Sequence, residues 1–427
     1  MKKTAMIMVA ALATTLAACS SGGGTPDIDT SASAATEIDL VYAYDKLFTA
    51  PLTEITERVQ RESGIKVNLV LAGESYEDAD RRIQTDLATG KPPALAMVGL
   101  NRLQPYVESA RAVPIEPFID STPEFDVNDF DPKFLDLMRV DGQLQGMPYG
   151  VSTPVLYINS DAFRKAGLDP AAPPSTWEDV EKVARQLTST GTSKYGVHWA
   201  WDMTGNWTFQ AMVDSNGGSL LSSDRTEVTF DQKPAVETAE YLSRQVADGL
   251  MPMMGESEAR DAFARGDIPM LVTSTSYLAG FEKSAAFDFR TAPFPAPATR
   301  QAKVPGGGNG FMILADDPSQ QVAAWTVLRA LTDIEGSTTT VKATGYMPVN
   351  EAAMASESHL AEFVREPNRR TSLDQIPALV PWLNFPGTHG REATDAIKEA
   401  LFTSMRGEKS AQQALSDAAD SVRGMLK

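Results

Sequence analysis

The chain has 427 residues, 42% hydrophobic and 22% charged, which is enough apolar content to fill real cores and rules out a disordered or fibrous protein. Its 56 acidic residues outnumber 38 basic ones for a net charge of −18, and no run of Lys or Arg is long enough to track a phosphate backbone, so nucleic acid is not an expected partner. One cysteine excludes both an internal disulfide and a Cys-based zinc site. At about 150 residues per domain, two or three domains fit.

The first eighteen residues carry Lys2 and Lys3, then an uncharged stretch ending Leu16-Ala17-Ala18 before Cys19. This is the charged, apolar and small-residue order of an export signal, too short for a permanent membrane span. Residues 20–35 are rich in Ser, Gly, Thr and Ala without apolar periodicity, which predicts a flexible tether over 19–36.

From Glu37 the pattern is that of an α/β protein. Residues 38–44 and 67–71 are β-prone runs. Between them, Leu52, Ile55 and Val59 recur at helical spacing over 50–63. A helix over 76–88 with Ile83 and Leu87 on one face precedes a strand at 94–100. Strand, helix, strand, helix, strand in so short a span predicts a parallel sheet with right-handed crossovers.

Asp141-Gly142 reads as a turn and Met147-Pro148-Tyr149-Gly150 as an interruption of any continuing element. A strand at 154–159 and a short helix at 160–166 closed by Gly167 come next, then a capping box with Ser175 at the cap and Glu178 three residues on. Residues 256–265 read as a helix, 268–272 as a strand, 277–283 as a helix and 311–314 as a strand following the glycine-rich 306–310. The C-terminal part reads as helical from 318–331 onward, with its last piece capped by Ser410.

Familiar catalytic signatures are missing. His198, His359 and His389 share no paired metal spacing, no GxSxG elbow exists, and the glycine run at 306–310 lacks the Lys-Ser/Thr of a phosphate loop. Asp126, Asn128, Asp129 and Asp131 offer oxygen ligands but lack the glycine and distal glutamate of a calcium loop and read as a solvated acidic segment. No metal and no cofactor is expected. A secreted hydrolase would need a carboxylate pair that one sequence cannot display, and nothing positive points to one.

Several segments carry a resemblance. They are Pro148 to Asn159 (PYGVSTPVLYIN) with Asp161 to Asp169, Thr273 to Leu278 (TSTSYL), Gly306 to Phe311 (GGGNGF) and Thr344 to Val349 (TGYMPV). Together they make the chain after the tether similar to the extracytoplasmic solute-binding proteins of ATP-binding-cassette importers, carbohydrate-binding family 1, in its glycerol-3-phosphate-binding branch. Leu16-Ala17-Ala18-Cys19 likewise resembles a bacterial lipobox, whose cysteine takes a lipid and becomes the first mature residue. Loss of Lys2 and Lys3 would take the net charge from −18 to −20.

The resemblance implies a two-lobed, type II periplasmic-binding-protein-like α/β fold with lobes interleaved in sequence. Lobe 1 would be residues 37–146 and 311–344, and lobe 2 residues 152–305 and 348–427, with hinge crossings near Pro148, Gly307 and Gly345. It implies a monomer with no enzymatic activity, anchored through Cys19 on the outer face of the cytoplasmic membrane. It would capture glycerol-3-phosphate, a glycerophosphodiester such as glycerophosphocholine, or a di- or oligosaccharide, and hand it to a membrane permease.

Site residues follow from the same segments. Ser152 and Thr153 are hydroxyls at a crossing, and equally turn residues. Ser274, Thr275 and Ser276 precede a helix whose amides suit an anion, or simply cap it. Gly307 and Gly308 allow close backbone approach to a ligand, or a tight turn. Tyr346 offers a face and a hydroxyl. Of Trp199, Trp201 and Trp207, the last is the preferred wall for a sugar face or a choline head, against a core role for all three. Tyr44 and Glu74 fall where first-lobe contacts are expected, with Tyr42 nearby.

The chain departs from the branch near Leu71 and Leu100, which lack its tyrosine and glutamate. Its phosphate-contacting arginine falls at Thr394, with Arg391 one helical turn away as the candidate replacement.

Overall fold

The computed structural model describes residues 28–109, 111–387 and 389–426. The expected signal, Cys19 and the start of the tether lie outside the described residues. The end of the tether is docked: Ile28 and Ala35 pack on the core, and the Ala35 amide donates to the Ser319 carbonyl at 2.9 Å.

Two sheets organise the chain. The first is five-stranded, with Lys66–Leu71, Glu37–Tyr42, Leu95–Gly99, Gly307–Ile313 and Met147–Ser152 in spatial order. Its first three strands are parallel, Leu40 standing opposite both Leu69 and Leu95. The helices Asp45–Ser63 and Tyr76–Ala88 make the crossovers, as expected from the apolar spacing that buries Leu52, Ile55, Val59, Ile83 and Leu87. Gly307–Ile313 then inserts antiparallel between Leu95–Gly99 and Met147–Ser152.

The second sheet holds Phe289–Ala292, Pro154–Asn159, Met270–Ser274 and His198–Trp199 in that order. Residues from both sheets, and from the C-terminal helices Gly390–Met405 and Ala411–Met425, contribute to the main hydrophobic cluster. A separate aromatic cluster of Tyr157, Phe263 and Phe281 packs under the second sheet. Among the described residues no helix is long and apolar enough to cross a membrane.

Several local expectations change. Met147–Ser152 is a wholly buried strand rather than an interruption. It lies at the edge of its sheet, where a missing amide is tolerated, and Pro148 sits opposite Gly310 at a register shift after Asn309. The glycine run is also strand. A Cβ on Gly308, at φ 107°, would fall 1.8 Å from the Gly150 carbonyl oxygen, and one on Gly310 would fall 2.4 Å from Met138 Sδ. Only glycine lets these strands and Met138 approach so closely.

The capping box is shifted by one residue. Thr176 is the cap of Trp177–Ser189, taking the Asp179 amide at 3.1 Å and donating to the Asp179 carboxylate at 2.8 Å. The first helix starts at Asp45, five residues before the expected Ala50, because Tyr44 turns the chain in a left-handed conformation.

Candidate functional site

The chain passes directly from one sheet to the other at Thr153, which alone separates Ser152 of the first sheet from Pro154 of the second, and the strand ends there border a cleft. The Thr153 amide donates to Thr275 Oγ1 at 3.1 Å, its carbonyl accepts the Thr275 amide at 3.0 Å, and its hydroxyl accepts from Gln375 Nε2 at 3.1 Å. Thr153 is therefore a buried strut. Ser152, also buried, points its hydroxyl toward Gly307 of the neighbouring strand, 3.1 Å from where a Cβ there would sit.

Further along, Gly345 takes a left-handed cap and is followed by Tyr346, whose successor Met347 donates its amide to the Val151 carbonyl at 2.9 Å and so keeps this segment beside the first sheet. Tyr346 belongs to an aromatic wall on the first-sheet side. It stacks on Phe48 at 5.9 Å, while the neighbouring Tyr76 meets Tyr44 edge-on at 4.9 Å. Tyr44 holds φ 62°, a conformation that a bulky residue adopts only where its surroundings compensate the strain. Burial pushes its hydroxyl well above the usual tyrosine range, and Tyr346, Glu77 and Tyr277 add to the shift. Tyr277 comes from the second-sheet side, so the two walls face each other closely here.

Trp207 builds the opposite wall. Gly205 and Asn206 are both left-handed, at φ 62° and 54°, and turn the chain sharply into the helix Trp207–Ser215. Trp207 is 2% exposed, 6.1 Å from Trp382, with ring carbons 2.8 and 2.9 Å from the position a Gly307 Cβ would occupy. The other two tryptophans of that segment do other work. Trp199 is wholly buried against Trp177, Tyr241 and Phe294, and Trp201 stacks on Phe402 while its indole donates to the Met254 carbonyl.

Charges around the cleft are largely committed. Arg260 lies 4.0 Å over the Tyr277 ring and 2.9 Å from Glu256, whose carboxyl is raised chiefly by burial. The Ser274 hydroxyl caps the Ser276 amide at 3.1 Å, and the Thr275 amide is taken by Thr153. These two amides are therefore satisfied within the protein. The segment Thr275–Tyr277 is a 3-10 turn that leads into the short helix Leu278–Ser284.

Arg391 stands in the first turn of Gly390–Met405 with a side chain 72% exposed and 3.7 Å from Asp395. Its helix touches the cleft wall one turn later, where Asn206 Nδ2 donates to the Thr394 carbonyl at 3.0 Å. Glu74 is exposed at the rim beside Tyr76. Among the described residues no group of three or more His, Cys, Asp or Glu is placed to hold a metal.

The structure thus draws Ser152, Gly307, Gly308, Trp207, Tyr346 and Tyr44 into one neighbourhood. It leaves Arg391 and Glu74 at the surface and spends Thr153 on framing the crossing. It also brings in Tyr76, Asn101, Gly205, Tyr277, Asn309 and Trp382; Tyr277 and Asn309 lie inside the segments Thr273–Leu278 and Gly306–Phe311 that carry the resemblance, and the other four do not.

Two α/β halves thus border a polar, aromatic cleft. The model of the family described as bacterial extracellular solute-binding protein matches residues 54–370, and the chain belongs to that family. The sn-glycerol-3-phosphate-binding periplasmic protein of Pectobacterium atrosepticum is 24% identical over 100% of this chain and 97% of its own length. Its counterpart in Escherichia coli K12 is 26% identical over 79% and 81%.

Among solved structures, the Mycobacterium tuberculosis homologue in complex with glycerophosphocholine superposes with a TM-score of 0.80 at 22% identity, covering 91% of this chain and 98% of that one. The cyclic alpha-maltosyl-1,6-maltose binding protein of Arthrobacter globiformis reaches 0.78 at 18% identity, covering 92% and 99%. The chain therefore has the type II periplasmic-binding fold and is an extracytoplasmic solute-binding protein of an ABC importer, not an enzyme. It binds a small polar ligand and delivers it to ABC permease subunits.

Proposed function

We propose that the ligand is a glycerophosphodiester with a cationic head, glycerophosphocholine being the type, or the simpler glycerol-3-phosphate. The observation that carries this reading is the aromatic chamber spanning both walls, with Tyr44, Tyr76 and Tyr346 on one side and Trp207 and Trp382 on the other. Such faces suit a quaternary ammonium by cation–π attraction and a glyceryl group by apolar contact. The relatives bind glycerol-3-phosphate, and one structural neighbour was solved with glycerophosphocholine, which supports the same class.

The phosphate is assigned to Arg391, whose exposed guanidinium is held only by a long 3.7 Å pair with Asp395 and would exchange it for a bidentate phosphate contact. Arg391→Ala weakens a phosphorylated ligand by more than about tenfold in this reading, with an unchanged melting temperature. Unaltered affinity in calorimetry removes Arg391 from the site.

One observation favours a second reading, a di- or oligosaccharide. The amides of Thr275 and Ser276 are already bonded within the protein and offer an anion little. Calorimetric titration with glycerol-3-phosphate, glycerophosphocholine and a panel of maltose- and trehalose-like sugars decides between them. Sugar binding without any phosphate-ester response overturns the first reading.

The ligand undergoes no reaction. Closure of the cleft around it selects the conformer that the permease recognises, so transport rests on differential affinity for the closed state. The protein acts as a monomer tethered through lipidated Cys19. Cys19→Ser releases it from the membrane fraction into the soluble fraction, and unchanged fractionation removes the anchor.

A further inference from the structure

A cavity of about 310 Å³ lies outside the cleft, in the groove between the helices Asp45–Ser63 and Ile334–Thr344. That is room enough for a small organic ligand. Each helix has one end at the cleft, at Tyr44 and at Gly345, but the groove opens on their solvent side, where Glu54, Arg61 and Glu335 are exposed. The buried Ile55 and Thr338 make its floor.

Charge is laid out along this groove in order. Glu54, Arg58 and Arg61 follow one another on one face of the first helix, four and then three residues apart. The second helix runs antiparallel beside them: Thr339 donates to Glu54 at 3.2 Å, and Glu335, one turn earlier, stands 3.6 Å from Arg58. Arg58 is already spent. It donates to both Asp333 carboxylate oxygens at 2.8 and 2.9 Å and to the Ala330 carbonyl at 2.8 Å, which neutralises the middle of the groove.

The two ends keep their charge. Toward the cleft lie oxygen acceptors, the carboxylates of Glu54 and Glu335 with the threonine hydroxyls. At the far end Arg61 has no hydrogen bond or ion pair among the described residues. His359 also lines the cavity, with Nδ1 2.7 Å from Ser356 Oγ. A lone anion meets two carboxylates here and a lone cation meets Arg61, so the arrangement suits a solute that carries both charges, held apart. Seven helical residues from Glu54 to Arg61 rise about 10 Å, the span of about three extended residues.

We propose that this groove is a second binding site, for a short peptide with both termini free. Its ammonium, with three N–H donors, sits among Glu54, Glu335 and the threonine hydroxyls. Its carboxylate pairs with the Arg61 guanidinium. The site is independent of what the cleft takes.

The test titrates trialanine, its N-acetyl form and its C-terminal amide into the whole protein while NMR follows the histidine ring protons, His359→Gln identifying the resonance of His359. Trialanine is expected to move that resonance saturably and to leave those of His198, on the second sheet, and His389 in place. Blocking either terminus weakens binding about three- to tenfold, as suits charge-assisted contacts that remain partly exposed.

The penalties separate by variant. Arg61→Ala abolishes the loss caused by the amide alone, and Glu54→Gln with Glu335→Gln abolishes the loss caused by acetylation alone. All three side chains are exposed, so melting temperatures stay at the wild-type value. No saturable shift of His359 below about 10 mM trialanine, equal binding of the three peptides, or variants that keep both penalties overturns the site.

Discussion

Asp214 shows how one buried group shapes stability. It lies near the end of the helix Trp207–Ser215, and burial pushes its carboxyl up to about 6, against the hydrogen bond from Gln210 and the charge of Lys303. The folded protein holds a proton there that the unfolded chain releases near the ordinary carboxyl value of 3.8. Its stabilising effect is complete below that value and is lost as pH rises through about 6.

His198 works in the opposite sense. It is wholly buried, with Nε2 at 3.1 Å from the Met254 carbonyl, and burial pushes it down from 6.5 to about 4. Stability from the neutral imidazole is present above 6.5 and is lost as pH falls toward about 4. The two slopes oppose each other over most of this window. Asp214→Asn is therefore expected to raise stability by about 2–3 kcal/mol at pH 7 and by nothing near pH 4, exposing the unopposed histidine slope in denaturant titrations between. A pH-independent change in the variant contradicts this account.

At the scale of elements, the caps give a sharp contrast. Thr176→Ala is expected to cost about 1 kcal/mol because the Asp179 amide loses its acceptor. Ser175→Ala leaves that bond in place and is expected to move the unfolding midpoint by less than half as much. Equal effects would return the cap to Ser175.

The same scale explains what could be read from the sequence. Helices such as Tyr76–Ala88 and Glu256–Arg265 were legible because periodic burial and terminal signals coincide in them. Met147–Ser152 and the glycine-rich start of Gly307–Ile313 were not, because proline and glycine ordinarily end strands, although the end of the latter was read as a strand at 311–314. Here they are kept by an edge position and by backbone approaches that no other residue permits. The site divides in the same way. Tyr346, Gly307 and Gly308 were marked by a resemblance and Trp207 by its aromatic-rich segment. Asn101 and Asn309 meet only through Gly99 and Tyr76, a juxtaposition that exists after the strands pair and leaves no trace in spacing.

At the scale of the whole molecule, Arg225 ties the two halves together outside the cleft. Held at φ 61° in the loop after Leu221, it donates from Nη1 to Gln104, beside the first sheet, and from Nη2 to the Asn384 carbonyl at 2.8 Å. Removing this bridge weakens a contact between halves that opening must break. Arg225→Ala is expected to dissociate ligand several-fold faster and to show a larger radius of gyration in solution scattering without ligand. A variant with unchanged release rate and dimensions means that the bridge does not restrain opening.

The insertion of Gly307–Ile313 between Leu95–Gly99 and Met147–Ser152 governs the order in which the molecule can be made. As the chain emerges from its N-terminus, three parallel strands are complete early. The apolar edge at Leu95–Gly99 then waits unpaired until the second sheet's strands have all been synthesised. Pairing over such a separation is intrinsically slow, and the waiting edge is a site for aggregation. The first sheet is thus completed only after residues far along the chain have been made, and the edge at Leu95–Gly99 is where that delay is felt.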